Sequence, residues 1–426
     1  MRLFRIHLAG VAGSNLADGL LAGALPLIAI TLTRDPLLIS LVTAAFWTPW
    51  LLTALLVGVV VDRGDRALIR RRALAGRLAL LLAALGLAAV DAVTIEVLVV
   101  LVLLYAVTEV FSDLAAGALV PQLVERDDLP TANGRIMGTE RLMQEFVGAP
   151  LGGVLVALGS AWVFGASAGL LVVVVLLLAR LRRPEGFRAA PEGTSAPHAA
   201  TPVRVTADIA YGLRALLAHP VVRPLTIGAG LTNLVNTAYF AVFVLWVVGP
   251  QSQVGLEPWQ FPLLLIPVTA GALVASVLPT RWLGRLGEVR VALGSWLVNA
   301  LLLLVPVLAP TWPAIAAAFV VVGFTNMVGN VIWMSIRQRV VPAGLLGRIG
   351  GASRTVSFGT MALGAPLGGL IAAQWGLPAL FVGMSVGAVL VALWLATQVD
   401  QATVDAAELR TLGPRASATA PASATG

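Results

Sequence analysis

Ionisable side chains interrupt several long apolar runs of this sequence. Asp18 stands in a run over 8–32, and Glu109 and Asp113 stand one helical turn apart in another over 97–119. Glu140, Arg141 and Glu145 interrupt 132–158, and Arg354 interrupts 345–373. A carboxyl group held away from water is costly to keep charged, so an acid in such a place is suited to taking up and releasing a proton. An arginine there must meet an acid, carbonyl groups, water or an anionic ligand. Other chemistries find no support. There is no cysteine, and the three histidines (His7, His198, His219) are scattered, so neither thiolate chemistry nor a metal site is expected. No GxxxxGK[ST] occurs and the chain has no lysine to complete one, so no nucleotide cofactor is expected. No paired His or Ser/His spacing suggests a hydrolase, and the chain does not read as an enzyme.

The elements that position these groups are membrane spans. The 426 residues are 58% hydrophobic and 12% charged, against about 25% charged in soluble domains. A span needs about 20 mainly apolar residues. Such runs occur at 8–32, 37–61, 73–90, 97–119, 132–158, 162–181, 221–248, 261–278, 291–308, 314–336, 345–373 and 379–397. Arg2 and Arg5 ahead of the first run imitate a signal peptide, but that run is too long and holds Asn15 and Asp18, so it reads as a retained span. Between the second and third runs lies 58–72, GVVVDRGDRALIRRR. A cluster this dense cannot enter hydrocarbon, and its arginine excess places it on the cytoplasmic side. By the resulting topology Arg34 lies outside and Arg141 and Arg354 lie deep within spans. The other 25 of the 28 basic residues fall on or near the cytoplasmic face. The net charge of +7 therefore reflects membrane orientation, with no basic stripe for nucleic acid. Both termini are expected in the cytoplasm, and the plasma membrane is the expected location.

Residues 182–220 separate two groups of six spans. Their first part, PEGFRAAPEGTSAPHAATPVR, reads as a disordered linker. In DIAYGLRALL, residues 208–217, Ile209, Leu213, Leu216 and Leu217 share a helical face; this is either an interfacial helix or an extension of the seventh span. Residues 398–426 read as a mostly disordered tail. The two groups, 1–181 and 221–397, repeat one another. Gly134, Arg135, Ile136, Gly138 and Arg141 recur as Gly347, Arg348, Ile349, Gly351 and Arg354, 213 positions on. GAPLGG at 148–153 recurs at 364–369, 216 positions on. The expected fold is all-α, two pseudo-symmetric six-helix bundles in parallel orientation.

Twelve spans as six plus six, a central linker and a charged turn between spans two and three resemble the major facilitator superfamily. Gly58, Asp62, Arg63 and Arg66 match the family's turn motif, while Asp65 and Ala67 depart from it. NLADGLLAGALPLIAITLT and LVPQLVERDDLPTANGR resemble its exporter branch of enterobactin exporters and macrolide efflux pumps. The resemblance implies alternating access. It makes Asp62 a latch on the helix N-terminus of span eleven, with Arg63 and Arg66 reaching the acids of span four and Asp113 facing the turn arginines. Matching depth predicts a Glu109–Arg141 pair. Asp18 and Glu145 have no partner evident in sequence, and with Glu109 they are the candidates for proton coupling. Arg141 and its counterpart Arg354 are candidates for an ion pair or a substrate contact. Gly148, Gly152, Gly153, Gly364, Gly368 and Gly369 are read as helix-packing positions. Asn15, Trp47, Trp50, Asn233, Asn236, Tyr239 and Phe240 are candidate cavity walls for an amphipathic compound. The expectation is proton-driven efflux of a small organic compound by a monomer in the bilayer. A nutrient importer or uniporter, and a non-transporting receptor or scaffold, are the alternatives.

Overall fold

A computed structural model describes residues 2–181, 186–187, 205–277, 287–342 and 345–412, excluding the side chains of 55, 126, 205–210, 212, 277, 346–348, 354 and 412. Each of the twelve expected spans is helical in its described part. The first six are Arg2–Leu32, Pro36–Leu52 with Ala54–Arg63, Arg66–Ala89, Ile95–Leu123, the interrupted Leu129–Ala157 and Ser160–Leu178. The seventh to tenth are Val222–Phe240 with Phe243–Val247, Gln260–Val277, Glu288–Leu302 with Val305–Leu308, and Trp312–Val340. Leu346–Gln398 holds the last two, divided at Gly376, whose φ of 83° belongs to the left-handed region that glycine tolerates. Among the described residues seven helices are long and apolar enough to cross a membrane, and a second-span pair bent by 57° makes an eighth. Side-chain caps set several starts. The Asp35 carboxylate accepts from the amides of Leu37 and Leu38, Asp65 from Leu68, and Thr94 from Val97. In the fifth span, residues Leu142–Gly148 form a π-helix between α-helical halves.

The chain forms two compact units, and they do not follow the expected bundles. One contains 1–196 with 237–266 and 361–380; the other contains 197–236, 267–360 and 381–426. The first unit thus adds the far portions of spans seven, eight and eleven to the first six spans. Glycine contacts explain this. Between lipid-bathed helices, small residues allow the close approach that supplies packing energy. A Cβ on Gly148 would lie 2.7 Å from the Gly19 Cα, and one on Gly152 would meet the Leu20 carbonyl, so spans one and five touch backbone to backbone. Gly368 repeats this in span eleven against the Ala238 carbonyl of span seven. The neighbouring Gly153 abuts Pro262 of span eight, and Gly369 abuts Ser40 and Pro36 of span two. The repeated GAPLGG therefore performs the same two packing tasks twice.

The second unit has an apolar core that includes Val289, Ala292, Ile332, Ile336, Val340 and Leu395. Gly271 of span eight and Gly323 of span ten cross within it, each against the other helix's backbone. The linker helix, Val205–Ala218, is separate from the seventh span, because a turn follows it and the His219 ring accepts from the amides of Val221 and Val222. Of its expected apolar face Leu216 is buried, whereas Leu213 and Leu217 are exposed. Residues 188–204 lie outside the described residues. The first part of the tail is ordered: Gln401–Leu412 is a helix that buries Val404 and Ala407 in the core. Arg339 pairs with both Glu288 and Glu408, which ties this helix to spans nine and ten.

In each half the segment after the sixth span returns to the start of the third. In the first, the Phe187 amide donates to Asp65 Oδ2 and the Arg66 amide donates to the Phe187 carbonyl, both at 3.2 Å. Gly186 makes this possible, with φ of 74° and a position where a Cβ would lie 2.6 Å from that carboxylate. In the second, the Val289 amide donates to Gln401 Oε1 at 3.4 Å.

Candidate functional site

Span three supplies the residue that organises the site, one of the 25 arginines expected on or near the cytoplasmic face. Arg77 lies eleven residues into the helix Arg66–Ala89, or ~16 Å from its start at 1.5 Å per residue. Its side chain is 0% exposed. Nη1 meets both oxygens of Asp18, at 3.1 Å to Oδ1 and 3.2 Å to Oδ2. Nη2 lies 3.7 Å from Glu109 Oε2. The Tyr105 hydroxyl donates to Asp18 Oδ1 at 2.5 Å, and the guanidinium stands 4.7 Å from the centre of that tyrosine's ring. Cation, acids and phenol thus converge from spans one, three and four. The arrangement suits a buried charge, which is tolerated only when paired and hydrogen-bonded.

The expected Glu109–Arg141 pair is not formed. Glu109 faces inward towards span three, whereas Arg141 lies on an exposed side of span five, where Ala132 alone is buried over Leu129–Arg141. Arg141 instead donates to Glu145 Oε1 at 2.9 Å, four residues on in its own helix. Similar depth placed the two charges at one level without fixing their direction around the helix. Asp18, for which no partner is evident in sequence, has two, Arg77 and Tyr105. The Arg354 side chain lies outside the described residues.

Nearer the arginine-rich turn, Arg70 is buried two helical turns below Arg77 and donates from Nη1 to His7 Nδ1 at 3.0 Å. Asp113 is exposed, within electrostatic reach of Arg70 and Arg77. Arg66 does not reach a span-four acid; its Nη1 donates to the Ala118 carbonyl at 3.2 Å. Asp62 and Arg63 are exposed, and nothing lies within 4 Å of where a Gly58 Cβ would be. The turn acid with a visible local task is Asp65, which departs from the family pattern.

An apolar cavity opens above the ionic cluster, on the side away from that turn. Its volume is roughly 200 Å³. Leu21, Leu25, Phe46, Leu81, Leu101 and Phe164 are among its walls, and Asp18, Tyr105, Gln144 and Thr43 are its polar side chains. A large apolar wall with few convergent polar groups is the usual form of a small-molecule site. None of Asn15, Trp50, Asn233, Asn236 or Tyr239 belongs to this lining. The Asn15 amide donates to the Val11 carbonyl, Trp50 packs beside Val57 and Val110, and Tyr239 is buried against Phe240 and Phe243. Asn233 and Asn236 are half-buried. Gln144, in the π-helix, brings span five to the cavity.

Comparison with known proteins decides the family. The sequence profile described as Major Facilitator Superfamily matches residues 8–355. This chain belongs to the Major Facilitator Superfamily. It is a multi-pass membrane transporter of the superfamily's type. It is 27% identical over 384 residues to the multidrug efflux pump Tap of Mycolicibacterium fortuitum, covering 86% of this chain and 88% of that one. Its fold is similar to that of the nucleoside transporter NupG, with a TM-score of 0.68 at 14% identity, covering 93% of this chain and 99% of that one. An auto-inhibited peptide transporter of the POT family gives 0.67 at 14% identity, covering 93% and 96%. At such identity these solved structures show the superfamily fold alone. Two features lay within reach of the sequence and were missed. Arg70 and Arg77 are seven residues apart, hence on one face of span three, and Gly19 and Gly23 match the spacing of Gly148 and Gly152.

Proposed function

We propose that this chain exports a small amphipathic organic compound in exchange for protons by alternating access, with Asp18 as the acid that carries the proton. One observation carries the reading: a carboxylate at the floor of an apolar cavity, held by a fully buried arginine and a tyrosine hydroxyl. Protonation of Asp18 would cancel its attraction to Arg77, which couples proton occupancy to the contact between spans one and three. Likeness to an efflux pump supports the outward direction. Asp62 remains the proposed latch of the charged turn, with both termini in the cytoplasm of a plasma-membrane monomer.

The test is a toxicity and accumulation panel in a pump-deficient bacterium expressing the protein. Export predicts lower accumulation of at least one compound, restored by a protonophore and by Asp18→Asn. Raised accumulation would instead establish an importer.

A further inference from the structure

Three buried polar atoms of the ionic cluster lack a hydrogen-bond partner: Arg77 Nε, Arg77 Nη2 and Glu109 Oε2. The last two face each other at 3.7 Å, too far for a hydrogen bond. One cation therefore stands between two acids and bonds only one of them. Unmet donors on a buried charge are costly, and a closer approach of Nη2 to Glu109 Oε2 would give both of these atoms a partner. The surrounding charges leave the choice to these two acids. Span one offers Asp18 and, nearer the turn, His7; span four offers Tyr105, Glu109 and, farther off, Asp113; span three itself carries Arg70; and span five, packed against span one, carries Glu140, Arg141 and Glu145, the last two paired with each other. Span six, packed against span three, has no titratable side chain over Ser160–Leu178.

We propose that Arg77 is a two-position switch, bonding Asp18 while that acid is ionised and swinging to Glu109 when Asp18 takes a proton. Glu109 is then a positioning residue rather than the proton carrier. The proposal rests on the role given above to Asp18. Its consequence is mechanical: the swing exchanges a bond between spans one and three for a bond between spans three and four. Span one loses its ionic tie to span three each time the proton binds, while it keeps its packing against span five and the Tyr105 hydroxyl beside Asp18.

Nitrogen–carbon dipolar recoupling by solid-state NMR on the full chain in lipid bilayers reads the swing directly. Arginine nitrogens are labelled together with either aspartate or glutamate carboxyl carbons, and Arg77→Lys identifies the Arg77 signal. On acidification of the wild type, the Arg77–aspartate contact should disappear and an Arg77–glutamate contact should appear. Asp18→Asn, which mimics the neutral acid, should show the glutamate contact at every pH. Glu109→Gln should abolish it and Glu109→Asp restore a contact to an aspartate carboxyl. An Arg77 that keeps the same partner throughout the wild-type titration, or no glutamate contact in Asp18→Asn, would overturn the switch. No transported compound is needed, so a swing without proton-driven export would count against the export reading alone, and export with a fixed Arg77 against the switch alone.

Discussion

In the first half of the molecule two arginines and two acids share the bundle interior; in spans seven to twelve the one acid is Glu288, at the first residue of the ninth span's helix. Both halves nevertheless use the same glycines for the same crossings, Gly152 and Gly153 in one and Gly368 and Gly369 in the other. Both also bring the segment after their sixth span back to the start of their third. The two halves thus share a packing frame, while among the described residues buried charge is concentrated in the half that holds the apolar cavity. Helix packing in lipid depends on backbone approach, so it survives divergence at other positions. A buried ion cluster has no such freedom, since each member must meet its partner.

The comparison can be broken most severely at Arg77. Arg77→Leu leaves Asp18 and Glu109 facing each other without a cation, which should cost about 3–5 kcal/mol and appear as loss of folded protein in detergent melting. Asp18→Asn should be far milder in the same assay, because Glu109 still balances the arginine. Next come the paired glycines. Gly152→Leu and Gly368→Leu each drive a side chain into a neighbouring carbonyl, and should lower stability equally, by about 1–3 kcal/mol or more. Unequal losses would show that the two crossings are not equivalent.

Smaller effects separate the two returning segments. Asp65→Ala removes a helix cap and the acceptor for the Phe187 amide, and should cost about 1 kcal/mol, read as faster amide exchange at Arg66 and Leu68. The smallest effect belongs to Asp400 in the second half. Hydrogen bonds from the Thr403 hydroxyl and amide hold its carboxyl below the ordinary aspartate range. A depressed carboxylate contributes stability that is present above its unfolded value and is lost as pH falls through its folded value. Acidification below about 3.8 should therefore loosen the helix Gln401–Leu412 in the wild type, and Asp400→Asn should flatten that dependence.

How far the sequence disclosed this is clearest from particular residues. Each expected apolar run coincides with one of the described helices, because bilayer thickness sets a length that composition must meet. The repeated GAPLGG disclosed the packing frame because close backbone approach demands a residue type at a fixed position. Arg77 escaped because it stands four positions into a run whose approach is already rich in arginine, so it read as part of the cytoplasmic cluster. The Glu109–Arg141 pairing failed for a different reason: residue spacing gives depth along a helix, while the direction of a side chain depends on neighbours that the sequence does not name. The tail helix precedes the low-complexity stretch, and Val404 and Ala407 have the spacing of its buried face.

The most direct test of the central claim is gradient-driven transport in proteoliposomes holding the purified chain, wild type or Asp18→Asn, with the compound whose cellular accumulation falls most. The account predicts that the wild type concentrates the compound against its gradient when a pH gradient is imposed, and that Asp18→Asn retains downhill movement but no longer concentrates it. Concentration by Asp18→Asn at the wild-type level under the same pH gradient would contradict it.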